Sequence, residues 1–253
     1  MRHFNMPCLN TESPMFDTAA HTYTAASTVQ QQLCDAVLPT YPDVPPTHLV
    51  DLGCGTGVNT LKLHQRYPTT TITGVDQSVA MIQEAQTRHT GIAWTVGDAE
   101  RYTHPEPVDF ISSHGSLHWV NSPIAPIIKR NLTPNGRFNL HMFGPDTYTE
   151  LTQALHLAWP EHAPIPATQF RTADDYTHDL GTLGPLTVVH TRVLVAYGSL
   201  TELLKTIAHT GTALATHRRF WTPRRLAHVE TTYRDCFGSI WATYSLISIR
   251  NYD

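Results

Sequence analysis

Residues 48–63 read HLVDLGCGTGVNTLKL, an apolar run that ends on an aspartate and turns through Gly53, Gly55 and Gly57. Glycine takes the backbone conformations of a tight strand-to-helix turn, and its missing side chain lets main-chain amides approach a ligand closely. The chemistry of such a turn is nucleotide binding. A dinucleotide turn, G-x-G-x-x-G, would carry glycine where this chain has Val58. The pattern here is D-x-G-x-G-x-G, with Asp51 on the strand end itself. A carboxylate there repels a pyrophosphate but engages an α-ammonium group, directly or through water.

A ligand of that description has an amine beside its nucleoside, as S-adenosylmethionine does. Asp76, in GVDQS, ends the second apolar run, where an acidic side chain can hold both ribose hydroxyls. Asp98, in GDAE, follows the third run, in reach of an adenine amino group. VDFISSHGSLHW then ends the fourth at the switch point of an open α/β sheet, where ligands sit. One such motif is a weak signal. Four in order predict S-adenosylmethionine as cofactor and S-adenosylhomocysteine as product. The expected cofactor-binding set is Asp51, Gly53, Gly55, Gly57, Asp76, Gln77, Met81, Asp98, Ala99 and Ser113.

The elements that must position these residues follow from periodicity and punctuation. Residues 1–15 read as a flexible lead-in, and a helical stretch from Phe16 to Leu38 is ended by LPTYPDVPP. HLVDLG, TTITGVD, IAWTV, VDFISS and the segment after the PNG turn read as five strands. Helices over 58–67, 78–89 and 123–131 separate four of them, with Ser78 placed to cap the second. The fold class is therefore α/β, a doubly wound, Rossmann-like parallel sheet. Residues 144–184 read as a helical cap inserted after the fifth strand, with Thr147 and Glu150 spaced as a capping box. LTVVHTRVLVAY resumes the strands, Leu200, Leu203, Leu204, Ile207 and Ala208 mark an amphipathic helix, and IWATYSLISI closes the chain as a strand. Residues 16–253 are expected to form a single domain.

Composition narrows the class. A chain of 253 residues with 41% hydrophobic content can bury a large core without staples. A net charge of −4 argues against bulk binding to nucleic acid. Cys8, Cys34, Cys54 and Cys236 stand far apart, as reduced thiols do. The N-terminus lacks the apolar core of a secretory signal, and no run approaches a membrane span, so a cytoplasmic protein is expected. His114 and His118 have the i, i+4 spacing of a metal pair. No glutamate follows His114, however, and Gly115 weakens a helix there, so no metal is expected.

The order of motifs resembles a class I methyltransferase, and the flanking segments resemble the malonyl-carrier-protein methyltransferases of the biotin pathway, the BioC family. FDTAAHTYTAASTVQQQ resembles that family's N-terminal helix at Phe16, Ala19, Ala20, Tyr23 and Gln30. MFGPDTYTEL, SLTELLKTIAHTGT and YRDCFGSIWATYSLI resemble its later segments. The resemblance implies methyl transfer to the free carboxylate of a malonyl thioester on an acyl carrier protein, the ester that primes pimelate synthesis for biotin. That carboxylate is ionised at neutral pH, so no general base is required. Tyr23 could close over the site as a hydroxyl donor, or simply fill the core.

The fourth-strand segment departs from the family. Where Ser-Asn-x-x-x-Gln-Trp is expected, this chain has Ser113, His114, His118 and Trp119. His114 and His118 are expected to position an anionic substrate, beside Trp119 in the substrate site. Arg171, in QFRTADD, is a candidate cation for the substrate carboxylate, or else a solvated surface arginine. Arg218, Arg219, Arg224 and Arg225, in HRRFWTPRRLAH, form either a scattered solvated face or a docking patch for malonyl-acyl carrier protein. Two alternatives stay open: a methyltransferase for a small free polycarboxylate such as trans-aconitate, and a relative doing assembly work or protein hydroxylation on the same fold.

Overall fold

The computed structural model describes residues 13–161, 165–210 and 221–253. Within them the chain runs α1 (Ser13–Ala26), α2 (Thr28–Val37), β1 (His48–Leu52), α3 (Val58–Arg66), β2 (Thr71–Asp76), α4 (Val79–Arg88), β3 (Ala93–Val96) and β4 (Val108–His114). It continues through α5 (Ile124–Asn131), β5 (Leu132–Phe143), α6 (Thr149–Ala158), α7 (Ala173–Leu180), β6 (Thr187–Tyr197), α8 (Leu200–His209), α9 (Pro223–Phe237) and β7 (Ile240–Arg250). The strands form one sheet of order β3-β2-β1-β4-β5-β7-β6. β1 to β5 are parallel, while β7 runs antiparallel to both β5 and β6. This is the α/β, Rossmann-like sheet of class I methyltransferases. Order reverses beside β1, where β2 lies on one side and β4 on the other, and that crevice is where a ligand belongs.

Period-two alternation assigns each strand's side chains to a layer. Along β1, Val50 and Leu52 join the core beneath α5 and α7, while Leu49 packs with Leu63 of α3 on the other face. Along β7, Ile247 and Ile249 join the first of these, whereas Ile240, Ala242, Tyr244 and Leu246 pack with α2, α6, α8 and α9. Burying one such aliphatic side chain stabilises the fold by about 1.5–3 kcal/mol, so the alternation fixes the register of the long last strand.

Several expectations are refined here. The N-terminal helix begins at Ser13, earlier than expected, and breaks at Ser27. Gln31 stabilises the break by donating from Nε2 to the Thr24 carbonyl at 2.7 Å and to Ser27 Oγ at 3.1 Å. Ser78 caps α4 as expected, accepting from the Met81 amide. The PNG turn is absorbed into β5 as a bulge, since Val108 pairs with Leu132 but Phe110 with Arg137. Ala208 is exposed and does not join Leu200, Leu203 and Ile207 in the core.

The capping box at Thr147 and Glu150 is not formed. Tyr148 stands before α6 in the left-handed region, φ 63°, a conformation that costs a side chain about 1–2 kcal/mol. Thr147 instead accepts from the Ser245 amide at 3.2 Å, and Glu150 accepts from the Thr243 amide at 2.9 Å and its hydroxyl at 2.6 Å. Both residues bind the segment to β7, which offsets the strain. Residues 144–184 then divide: α6 packs on α9, and α7 packs on α5, where Tyr176 and Leu180 are fully buried. Glu150→Ala should therefore destabilise the protein by about 1.5–3 kcal/mol, the value of hydrogen bonds to a charged group. Urea unfolding with a lowered midpoint is the expected result, and an unchanged midpoint would remove Glu150 from this role.

Candidate functional site

A cleft of about 360 Å³ opens at the C-terminal ends of β1, β2 and β4. Its floor is the glycine turn. Gly53, Gly55 and Gly57 all have positive φ, at 73°, 55° and 80°. A Cβ on Gly53 would lie 1.7 Å from Ser116 Oγ, and one on Gly57 would lie 2.5 Å from the Trp94 ring. Both the backbone conformation and the space therefore exclude side chains. The Gly53 amide is tied to the Val75 carbonyl at 2.7 Å, and Gly55 donates to Asp76 Oδ2 at 2.9 Å.

Two carboxylates face this floor. Asp51 Oδ2 accepts from Thr60 Oγ1 at 2.6 Å, while Oδ1 is buried with no partner. Burial pushes the Asp51 carboxyl up to about 6, opposed by hydroxyls of Thr60 and Ser112. Asp76 accepts Gly55 N–H on one oxygen and Ser78 N–H, at 2.9 Å, on the other, which leaves further lone pairs for ribose hydroxyls. Its carboxyl is also raised, by burial first. Gln77, Met81, Asp98 and Ala99 line the same cleft. With Glu100, four carboxylates face Arg101, the one arginine or lysine among the described lining residues. Such a cleft suits a cationic ligand. The unpartnered Asp51 oxygen and the side-chain-free turn fit S-adenosylmethionine, which is the cofactor.

α1 crosses the cleft and carries Tyr23 into it. A Cβ on Gly55 would touch the Tyr23 ring at 3.9 Å, so the ring packs on the turn itself. Burial, with the Asp76 charge adding to it, pushes the Tyr23 phenol up to about 12, so it stays a hydroxyl donor. Thr24 Oγ1 meets Thr56 Oγ1 at 2.9 Å, His21 meets Glu84 of α4 at 2.5 Å, and Ser78 hydrogen-bonds Asp17.

The far end of the cleft holds His114 and Trp119. His114 ends β4, stacks on Tyr41 and on His141 (ring centroids 5.8 and 4.8 Å apart), and bonds Tyr41 Oη through Nε2 at 2.8 Å. Burial lowers its pKa to about 3, so it is neutral. His118 is a correction. It lies in a single 3-10 turn, Leu117–Trp119, enclosed by Phe143 and Phe170, and accepts from the Phe143 amide at 3.5 Å. It does not line the cleft, and it shares no helix face with His114.

Ser113 is a second correction. It is fully buried and donates to the Leu52 carbonyl at 2.8 Å, binding β4 to β1 rather than to a cofactor. Arg171 is a third: it pairs with Asp179 at 3.0 Å and lies 4.6 Å over the Tyr176 ring. Asp179 in turn accepts from the Ile124 amide at the start of α5, so this arginine braces a helix end. Arg225 lies 4.6 Å over the Trp159 ring, and Arg224 is exposed beside it. Arg218 and Arg219 lie outside the described residues. Sequence reasoning missed Tyr41, which links Ser112 at 2.8 Å to His114, because PTYPD reads as a linker. It also gave no site role to Gln30, Asn59 and Ser116, which line the cleft.

Residues 49–136 match the family model described as a methyltransferase domain. The malonyl-[acyl-carrier protein] O-methyltransferase of Halalkalibacterium halodurans is 24% identical over 256 residues, 92% of this chain and 94% of that protein. The trans-aconitate 2-methyltransferase of Escherichia coli is 35% identical over 121 residues, 46% of this chain and 47% of that one, so the match spans about half of each. Among solved structures, the YcgJ protein of Bacillus subtilis superposes with a TM-score of 0.60 at 17% identity, over 87% of this chain and 97% of that one.

Asp76→Ala should weaken S-adenosylmethionine binding by about 1.5–3 kcal/mol, since it removes a charge-assisted acceptor. Unchanged affinity by calorimetry would displace Asp76 from the ribose. The raised Asp51 carboxyl gives a pH signature. Only its ionised form holds an ammonium, so protonation through about 6 opposes binding. Affinity should be level above about pH 7 and fall by up to about tenfold per unit below 6, with protons released on binding near the midpoint. A level profile throughout would detach Asp51 from the ligand's charge.

Proposed function

We propose that this chain, a class I S-adenosylmethionine-dependent methyltransferase, esterifies the free carboxylate of a malonyl thioester carried on an acyl carrier protein. The observation that carries this reading is the extent of the match. Similarity to the malonyl-[acyl-carrier protein] O-methyltransferase runs over 92% of this chain, far beyond residues 49–136 that match the methyltransferase-domain model. Similarity to the trans-aconitate enzyme runs over 46%. Both relatives' names specify acidic acceptors, so carboxyl O-methylation is common ground.

Bound S-adenosylmethionine supplies a methyl group on a positively charged sulfur. The residues here hold and dehydrate the reactants. Asp51 and Asp76 fix the cofactor's charged and ribose ends, and α1 with Tyr23 covers the cleft and keeps water out. A carboxylate oxygen already carries its electron pair, so no residue has to remove a proton. That agrees with a cleft whose His114 is neutral and bonded to Tyr41. The carrier docks through the basic stretch that includes Arg218, Arg219, Arg224 and Arg225, where the described part exposes Arg224 next to Arg225. Surface charge of this kind serves encounter more than chemistry.

Mass spectrometry tests the proposal directly. Incubation with S-adenosylmethionine and malonyl-carrier protein should add one methyl group, and acetyl-carrier protein, which lacks the carboxylate, should gain none. A higher kcat/KM for free trans-aconitate would replace the carrier reading with a small polycarboxylate acceptor.

A further inference from the structure

Beside the far end of the cleft lies a small chamber between α2 and the ends of β4, β5 and β7, lined among others by Gln30, Asn59, His114, Gly115 and His141. Gln30, Asn59, His114 and Gly115 line the cleft as well, so the two spaces adjoin. Three buried polar atoms on its wall have no partner: Gln30 Oε1, Asn59 Oδ1 and His141 Nε2. Buried polar groups are normally matched, and a cluster of unmatched ones marks the place of a polar occupant. Each carboxamide can turn its N–H₂ inward, since its two ends have the same shape. His141 meets Ser248 Oγ through Nδ1 at 2.9 Å, which leaves Nε2 to face the chamber.

We infer that this chamber seats one oxygen of the acceptor's carboxylate, held by the neutral N–H groups of Gln30, Asn59, His114 and His141 instead of by a cation. The inference rests on the carboxylate reading above. Its free volume of about 20 Å³ admits one water-sized group, so the second oxygen stays in the cleft, where the methyl is delivered. The described cations nearby are otherwise engaged. Arg171 pairs with Asp179, Lys62 with Asp35 at 2.6 Å, Arg101 lies by Asp98, and Arg250 donates from Nε to the Tyr252 carbonyl at 3.1 Å. Neutral donors can strip and orient one carboxylate, whereas a tricarboxylate would bury two more charges with nothing to answer them. An acceptor with a single anionic group and an uncharged flank is the class this site takes.

The groups around the two imidazoles agree. Cys34 of α2 lines the chamber with them, Tyr41 bonds His114, and Lys62 of α3 and Arg250 of β7 bear on them as charges. Burial, helped by Lys62 at His114 and by His114 and then Arg250 at His141, holds both pKa values well below the ordinary imidazole range.

Steady-state kinetics with malonyl-pantetheine, at saturating S-adenosylmethionine, tests this. His141→Phe and Gln30→Leu should each raise KM about tenfold, the loss of one donor to an anion, with S-adenosylhomocysteine affinity held within about twofold as the measure of an intact fold. Wild-type KM should be level from about pH 6.5 to 8.5, because no imidazole titrates there, while a charged histidine would tighten binding as pH falls. Methylation by wild type with unchanged KM in both variants would mean that the chamber holds only solvent, and the inference fails while the carboxylate reading stands. KM improving toward low pH would overturn the neutral-donor assignment. Failure of wild type to methylate malonyl-pantetheine and malonyl-carrier protein alike would remove the proposed function, and this inference with it.

Discussion

A carboxylate taken out of water with one oxygen left unanswered is the constraint on which the site depends. Asp51 is 2% exposed at the end of β1, where the Thr60 hydroxyl donates to one of its oxygens. Such a group is expensive to keep ionised, which is why its proton affinity rises. A cation placed beside it removes the expense. The surroundings extend the same logic, since Asp76, Asp98 and Glu100 line the cleft against a single arginine. The glycine turn serves this arrangement by bringing backbone, not side chains, against the ligand, and by tying Gly55 to Asp76 across the floor. Binding and orientation of a positively charged cofactor follow from a field built of carboxylates.

How much of this was legible in the sequence depended on whether a residue's role was local. The strands at 48–52, 71–76 and 108–114, the helix capped by Ser78 and the glycine turn are set by neighbours within a few positions, and they were read correctly. The closing strand was readable from its β-branched and aromatic run, yet its antiparallel pairing with β5 is a property of the sheet and not of the run. Ser113 shows the limit most clearly. Ser112 and Ser113 are identical in type, and only strand parity decides that the first meets Tyr41 while the second binds the Leu52 carbonyl. Arg171 is decided by a different kind of neighbour: its partner Asp179 lies eight residues on, across the turn into α7, beyond the reach of a local pattern. His118 could not be placed without Phe143 and Phe170, which come from a later strand and a proline-rich loop.

Strain and compensation meet on the other side of the sheet. Tyr148 holds a left-handed backbone, and the residues around it that read as a helix cap are used to bind β7 instead. The last strand of the chain thereby fixes a segment about a hundred positions earlier, and with it Phe143 and the wall of aromatic rings beside Trp119. Long-range polar contacts of this kind are late to form, because the long loop between the two segments must close first.

The interruption at Ser27 separates two helices whose described side chains are attached in different ways. Among the described side chains, α2 is rooted in the core by Val29, Leu33 and Val37, whereas α1 is held by the buried Ala20, by Tyr23 against the glycine turn, and by polar contacts to Thr56, Ser78 and Glu84. Contacts that water can replace open far more readily than apolar packing does. An opening about Ser27 would break these contacts of α1 and leave α2 seated in the core. Residence of the cofactor would then be decided at that doorway, by the hydroxyls and the one imidazole that hold the described part of α1.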